Sequence, residues 1–287
     1  MINKKIVAET LGVYSDRLKI MPVDGGSIND SYKIEHDGQR FFMKCNQAQR
    51  FSDMFSLEQK GLQILKTANA FRIPEVIGVY EHKDLSILYL EFIDQGPSKP
   101  DFCELFAERL IALHANSSDL FGLGHHNYIG SLPQNNTPYQ DWGNFFVEQR
   151  IKPQLISARN TGQVDRSDLL LFDKLFSRID DFFPKEAPSL IHGDLWSGNY
   201  MSDKSGDPVI FDPAIYFGHR YMDLGMMRLF GGFDQRIFDL YAAKAMLDHD
   251  WKTGSEIANL YPLLVHVNLF GSGYISQVRS ILRHYVN

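Results

Sequence analysis

Two short segments carry residue types at spacings that could do chemistry. They are Ile191-His192-Gly193-Asp194-Leu195-Trp196-Ser197-Gly198-Asn199 and Phe211-Asp212-Pro213. Asn199 follows Asp194 by five residues, and Asp212 follows it by eighteen. Asp194 is placed to accept the proton of an attacking hydroxyl. The side-chain oxygens of Asn199 and Asp212 are hard donors of the kind Mg²⁺ prefers, and that ion fills its remaining positions with water and phosphate oxygen. A loop that readies a hydroxyl for attack on magnesium-bound ATP uses this set at these intervals. The plainer reading is a polar turn, a helix N-cap and a strand-end aspartate, which leaves the joint spacing unexplained. His192 is read as shaping the loop through backbone hydrogen bonds. Trp196 is either a core aromatic or a wall of the acceptor pocket. Asp223, in Arg220-Tyr221-Met222-Asp223-Leu224-Gly225, opens a helix that it could cap, and is read as support for the loop.

Upstream lie residues that could hold a nucleotide. Gly25-Gly26-Ser27-Ile28-Asn29 sits between two strand-like runs. Glycine lets backbone N–H groups approach phosphate oxygens, although a Gly-Gly pair by itself is more often only a turn. Lys44 ends the run Phe41-Phe42-Met43 and could reach inward as a point charge for phosphate. Glu58, fourteen residues on, could pair with it. Taken singly, both are ordinary surface residues.

These groups need elements to position them. Ser31–Ile34 and Arg40–Lys44 read as strands joined by His36-Asp37-Gly38, a hairpin signal. Helix-like spacing covers residues 1–20, and again 53–69, where Met54, Leu57, Gly61, Ile64 and Leu65 recur. Val76–Tyr80 and Ser86–Phe92 read as two more strands. Asp94-Gln95-Gly96-Pro97-Ser98-Lys99-Pro100 is the clearest break and marks a hinge. Helical spacing follows over 102–117, 142–158, 169–183, 219–247 and 256–285, with short strands near 189–192 and 208–212. The expected architecture is α+β: a small β-rich lobe over 1–93 and a larger helical lobe over 94–287.

Composition narrows the field. The chain has 287 residues, with 29 basic and 35 acidic side chains and a formal charge of −6. A mildly acidic protein argues against a nucleic-acid or anionic-membrane partner. No run approaches the roughly 20 apolar residues of a membrane helix, and the first residues lack a signal-peptide pattern. Two cysteines, Cys45 and Cys103, without CxxC or a Cys/His cluster, fit a cytoplasmic protein without structural zinc.

Together these residues resemble the fructosamine kinase (ketosamine-3-kinase) family, a branch of the aminoglycoside- and choline-kinase-like enzymes. The resemblance rests on Gly25-Gly26-Ser27-Ile28-Asn29, Lys44, Leu90-Glu91-Phe92-Ile93-Asp94, Asn127-Tyr128-Ile129-Gly130-Ser131, the 192–199 loop and Phe211-Asp212-Pro213-Ala214. It implies a two-lobed protein-kinase-like fold, with an antiparallel-sheet N-lobe and a helical C-lobe. It also implies phosphorylation by ATP of the 3-hydroxyl of a ketosamine, small or protein-bound. The product releases its amine, so the reaction serves deglycation. By matching motifs, Gly25 to Asn29 and Lys44 would contact ATP phosphates, with Glu58 pairing Lys44. The backbone of Glu91, Phe92 and Ile93 would hold adenine. Asp194 would be the base, Asn199 and Asp212 the Mg²⁺ ligands, and Trp196 and His266 the acceptor contacts. Several relatives carry cysteine where Ser27 stands, linked there to redox-sensitive dimerisation. Serine implies no such switch, and a monomer. Other acceptors open to the same fold are aminoglycosides, choline, homoserine or methylthioribose. A regulator that binds nucleotide without turnover would be expected to lack Asp194, Asn199 or Asp212.

Overall fold

The computed structural model describes residues 2–23 and 28–286. Gly25, Gly26 and Ser27 therefore lie outside the described residues. Residues 19–91 hold a five-stranded antiparallel sheet in the order β1-β2-β3-β5-β4. Its strands are β1 (Lys19–Pro22), β2 (Asp30–His36), β3 (Gln39–Gln47), β4 (Val76–His82) and β5 (Leu85–Glu91). Asp37 and Gly38 turn β2 into β3 at φ 47° and 83°, the left-handed backbone of a two-residue hairpin. Helix α1 (Lys4–Leu11) covers one face and α2 (Met54–Thr67) the other. The helical spacing expected over 1–20 stops at Leu11, because Gly12 takes a left-handed φ of 67° and caps the helix. Residues 19–22 then join the sheet as an edge strand.

Strand alternation decides where Lys44 points. Met43 and Cys45 turn toward α1 and pack with Val7, Ile34, Ile87 and Tyr89 in a small core. Lys44 between them faces α2, on the side where Leu88 and Leu90 meet Phe55, Leu62 and Leu65. Glu58 lies on that same stripe of α2, one turn after Phe55 and one before Leu62.

The break at 94–100 is fastened rather than free. Gly96 N donates to Ser202 O at 3.0 Å. Arg40 of β3 grips Asp94 with both guanidinium nitrogens at 2.5 and 2.6 Å, and Lys204 reaches the same carboxylate at 2.9 Å. Beyond it the chain is mainly helical. The elements are α3 (Phe102–His114), α4 (Trp142–Phe145), a π-helical turn (Phe146–Ile151), α5 (Lys152–Asn160), α6 (Arg166–Phe176), α7 (Tyr221–Leu229), α8 (Gln235–Lys244), α9 (Trp251–Ala258), α10 (Leu260–Phe270) and α11 (Ile275–Val286). The segment 219–247, read as one helix, divides at Gly231-Gly232, both at positive φ. The segment 256–285 divides at Gly271, φ 91°. Helix α6 begins earlier than expected because Asp165 and Asp168 form a capping box.

Short strands β8 (Ser189–Ile191) and β10 (Pro208–Ile210) form as expected. Each pairs with a strand absent from the sequence reading: β8 with β11 (Tyr216–Gly218), β10 with β9 (Tyr200–Ser202). A further hairpin, β6 (Asn127–Ile129) and β7 (Leu132–Gln134), was not foreseen either. Three-residue strands are too short to show a period of two. Among the described residues no helix is long and apolar enough to cross a membrane.

Candidate active site

The two chemistry-bearing segments meet because adjacent hairpins deliver them. β8 leads into His192, β9 begins after Asn199, and β10 ends before Asp212. Phe211 N donates to Asn199 O at 3.1 Å and Ala214 N to His192 O at 2.9 Å, which ties the two loops together. Gly193 adopts φ 81°, and a Cβ there would lie 2.2 Å from Ala214 O, so only glycine permits the approach. His192 is fully buried. Its Nε2–H donates to Phe211 O at 2.9 Å and its Nδ1 accepts from Asp194 N at 3.3 Å. Burial lowers its pKa, against the pull of Asp223. The ring is thus a neutral brace, as expected.

Asp223 is not a helix cap, since Arg220 occupies that position. Its buried carboxylate instead accepts from His192 N at 2.8 Å, Gly193 N at 2.9 Å and His114 Nε2 at 3.2 Å. Burial works against its charge, yet the bonds from His114 and His192 hold its pKa below the ordinary carboxylate range. Its role as support for the loop stands, by a different geometry.

The charges converge on Lys44. Its Nζ contacts Glu58 Oε1 at 2.7 Å and Asp212 Oδ1 at 2.5 Å. Burial disfavours the ammonium, but the Asp212 and Glu58 carboxylates outweigh it and raise its pKa. Burial also raises Glu58, against the pull of Lys44. Asp212 has φ 57°, a left-handed backbone costly for a side chain other than Gly, Asn or Asp. Asp194 sits partly buried beside this group. Burial first, and the Asp212 carboxylate second, push it up to about 7, against the bond from Asn199. Asn199 Nδ2 donates to Asp194 O at 2.8 Å and to Asp194 Oδ2 at 3.1 Å. That commitment leaves Asn199 Oδ1 as an uncommitted hard oxygen among the described residues. With Asp212 it would offer Mg²⁺ two of the hard oxygen ligands that ion prefers. No group of three or more His, Cys, Asp or Glu side chains suited to a metal occurs among the described residues.

A cavity of about 550 Å³ contains Ile28, Asn29, Lys44, Glu58, Asp194, Trp196, Asn199, Asp212 and His266. Trp196 folds back over Gly198, where a Cβ would lie 2.2 Å from its ring. The Trp-Ser-Gly sequence therefore makes the indole a wall of this cavity. Glu91, Phe92 and Ile93 do not line it. Glu91 N is spent on Glu75 O at 2.8 Å. The Phe92 ring lies between Lys33 and Arg40, 5.0 and 5.4 Å from its centroid.

Beneath Asp212 runs a buried polar network that the sequence reading missed in part. Asn127 Nδ2 donates to Ile215 O at 2.9 Å, and Gln134 Nε2 to Ala214 O at 3.0 Å and Asn127 Oδ1 at 2.9 Å. Tyr261 Oη donates to Gln134 Oε1 at 2.8 Å. Asn136 Nδ2 donates to Asn127 Oδ1 at 2.8 Å, and Asn136 Oδ1 accepts from Arg150 Nη2 at 2.6 Å. Arg150, fully buried without a carboxylate partner among the described residues, lies over the Tyr216 ring at 3.8 Å. Asn127 belongs to a motif already singled out, and its purpose is visible here: β6–β7 holds the carbonyls that follow Asp212. Nothing in the local pattern around Gln134 or Arg150 signals this.

The model of the fructosamine kinase family matches residues 2–287. A protein named probable ketoamine kinase in Enterococcus faecium is 36% identical over 273 residues, covering 93% of this chain and 95% of that one. The crystal structure of a candidate fructosamine-3-kinase from Thermobifida fusca superposes with a TM-score of 0.83 at 34% identity, covering 92% of each chain. Aminoglycoside phosphotransferase APH(4)-Ia shares the fold at 15% identity, with a TM-score of 0.69 over 98% of this chain and 99% of that one. The architecture is thus the two-lobed α+β arrangement of kinase-like phosphotransferases, and the chain belongs to the fructosamine kinase family.

Proposed function

We propose that this chain is an ATP- and Mg²⁺-dependent kinase that phosphorylates the 3-hydroxyl of ketosamines and so serves deglycation. The observation that carries it is one cavity in which Asp194 stands beside Asn199 while Lys44 bridges Glu58 and Asp212. Bound Mg²⁺–ATP supplies the phosphoryl group and offsets the charge that develops on it. Asp194 accepts the acceptor's proton, and a pKa near 7 suits a general base at neutral pH. Asn199 Oδ1 and Asp212 would hold the metal, and Lys44, fixed by Glu58, would meet phosphate. Gly25 to Asn29 would approach the phosphates, and the backbone of Glu91 to Ile93, outside that cavity and with Glu91 N already bonded to Glu75 O, would reach the adenine through its remaining polar groups. Trp196 and His266 would face the sugar adduct.

The carboxylates lining the cavity all belong to the cluster around Lys44 and Asn199. Among the described residues no separate acidic group lines the cavity to receive a polycationic acceptor, which favours ketosamines over aminoglycosides. The reading includes lobes that part between residues 93 and 94 and a monomer without a switch at Ser27. It also includes a cytoplasmic site of action, supported by two free buried cysteines. The test is a panel of ketosamines, aminoglycosides and choline with coupled ADP detection, and NMR to locate the phosphate. Phosphorylation at O3 of a ketosamine is expected. Turnover of only the other acceptors would refute the assignment.

A further inference from the structure

Phe230 and Phe270 are 38% and 52% exposed, and both border the cavity that holds Asp194. They belong to a continuous row of rings. Trp196 lies 6.5 Å from Phe230, and Phe230 lies 4.9 Å from His266. His266 in turn lies 5.4 Å from Phe270 and 4.9 Å from Tyr274. The row leads from the loop that carries Asp194 toward solvent. It bears no formal charge, because the lysine and the carboxylates of the cavity all sit in the ion cluster at the other end.

His266 decides what this wall can recognise. Its Nδ1 lies 2.7 Å from Pro262 O, and a carbonyl can only accept, so Nδ1 carries the hydrogen. Burial lowers the ring's pKa, against that carbonyl. The neutral ring therefore presents Nε2 as a lone pair, and no donor reaches it among the described residues. A purely apolar substituent would leave that lone pair unmatched. A cation with an N–H would satisfy it and lie among aromatic rings, whose quadrupoles attract positive charge. A ketosamine carries such a group in the protonated secondary amine that joins the sugar to its carrier.

Resting on the kinase reading, we propose that Phe230, His266, Phe270 and Tyr274 form the subsite for the acceptor's protonated secondary amine, which donates to His266 Nε2. The test uses the full-length enzyme and two acceptors. Both carry the same ketose and the same alkyl group, joined through a secondary amine in one and an ether oxygen in the other. The amine is expected to bind about tenfold more tightly, by KM and by calorimetry, a ratio within the range of desolvated cation–π contacts. Phe230→Leu with Phe270→Leu, at exposed positions that leave the core intact, is expected to shrink that ratio below about threefold. Equal affinity for both acceptors, or a ratio that survives the double substitution, overturns the subsite. Preferential binding of the amine with phosphorylation of neither acceptor would retain the subsite and overturn the kinase reading instead.

Discussion

Replacing Asp194 with asparagine should sharply lower turnover and stabilise the protein, because the site holds that carboxylate against its preference. Its pKa is pushed from 3.8 up to about 7. Between those values the folded state binds more protons than the unfolded chain. Wild-type stability therefore falls as pH rises through this window, and the full cost is present above pH 7. At ~1.4 kcal/mol per unit the shift sets an upper bound of ~4 kcal/mol at pH 8, ~1.5 kcal/mol at pH 5 and under ~1 kcal/mol at pH 4. Partial exposure and relaxation reduce this, so a gain of about 1–3 kcal/mol at pH 8 is expected for Asp194→Asn. Asparagine keeps an oxygen for Asn199 Nδ2, now 3.1 Å from the carboxylate, so no donor is orphaned. The assay is urea unfolding at pH 5 and pH 8 without nucleotide or Mg²⁺. Turnover should fall by roughly 10²–10⁴-fold while the Kd for ATP changes little. A variant less stable than wild type at pH 8, or one whose advantage is the same at both pH values, would refute this reasoning.

Gln134→Leu should cost ~2–5 kcal/mol by orphaning Ala214 O and Tyr261 Oη, and should lower Tm by several degrees. Because Ala214 follows Asp212 by two residues, ATP affinity should weaken more with Mg²⁺ present than without it. Equal weakening by calorimetry would separate the network from the metal loop. Lys44→Met should lower turnover at least ~100-fold and leave two carboxylates facing each other. Its stability deficit should be larger at pH 8 than at pH 5 in urea titrations; a pH-independent deficit would contradict the charge assignment. Burial pushes His219 down to about 3. Its Nε2–H donates to Pro184 O at 3.2 Å and its Nδ1 accepts from Tyr221 N at 3.2 Å. Its contribution is complete above pH 6.5 and is lost on acidification toward pH 3, by up to ~1.4 kcal/mol per unit. His219→Gln should flatten that part of the acid limb, and an unchanged slope would assign it to other groups.

The 192–199 loop was legible from a linear string because the chemistry proposed for it depends on local spacing. His192 to Asn199 spans one turn, and the later aspartate ends one short strand, so types and intervals carry the signal. The β2–β3 hairpin was legible for a similar reason: Asp37-Gly38 specifies its own turn. Breaks at Gly231-Gly232 and Gly271 were harder to see, since apolar spacing continues across them and only the left-handed backbone reveals the division.

By itself, the sequence determined which groups are available: two aspartates and an asparagine at fixed intervals, a strand lysine and a helix glutamate. The tertiary structure decided what those groups are worth. Lys44 is an ordinary strand-end lysine until alternation turns it toward α2 and Asp212 closes on it, and the paired carboxylates then keep the buried ammonium charged. The Asp194 carboxyl is pushed up to about 7 only through burial beside a second carboxylate brought from eighteen residues away. Gln134, Arg150 and Phe230 carry no local pattern at all. Long-range packing alone places the first two beneath the Asp212 loop and the third at the cavity mouth. Desolvation and Coulomb interaction depend on distance in space, which a sequence interval does not specify.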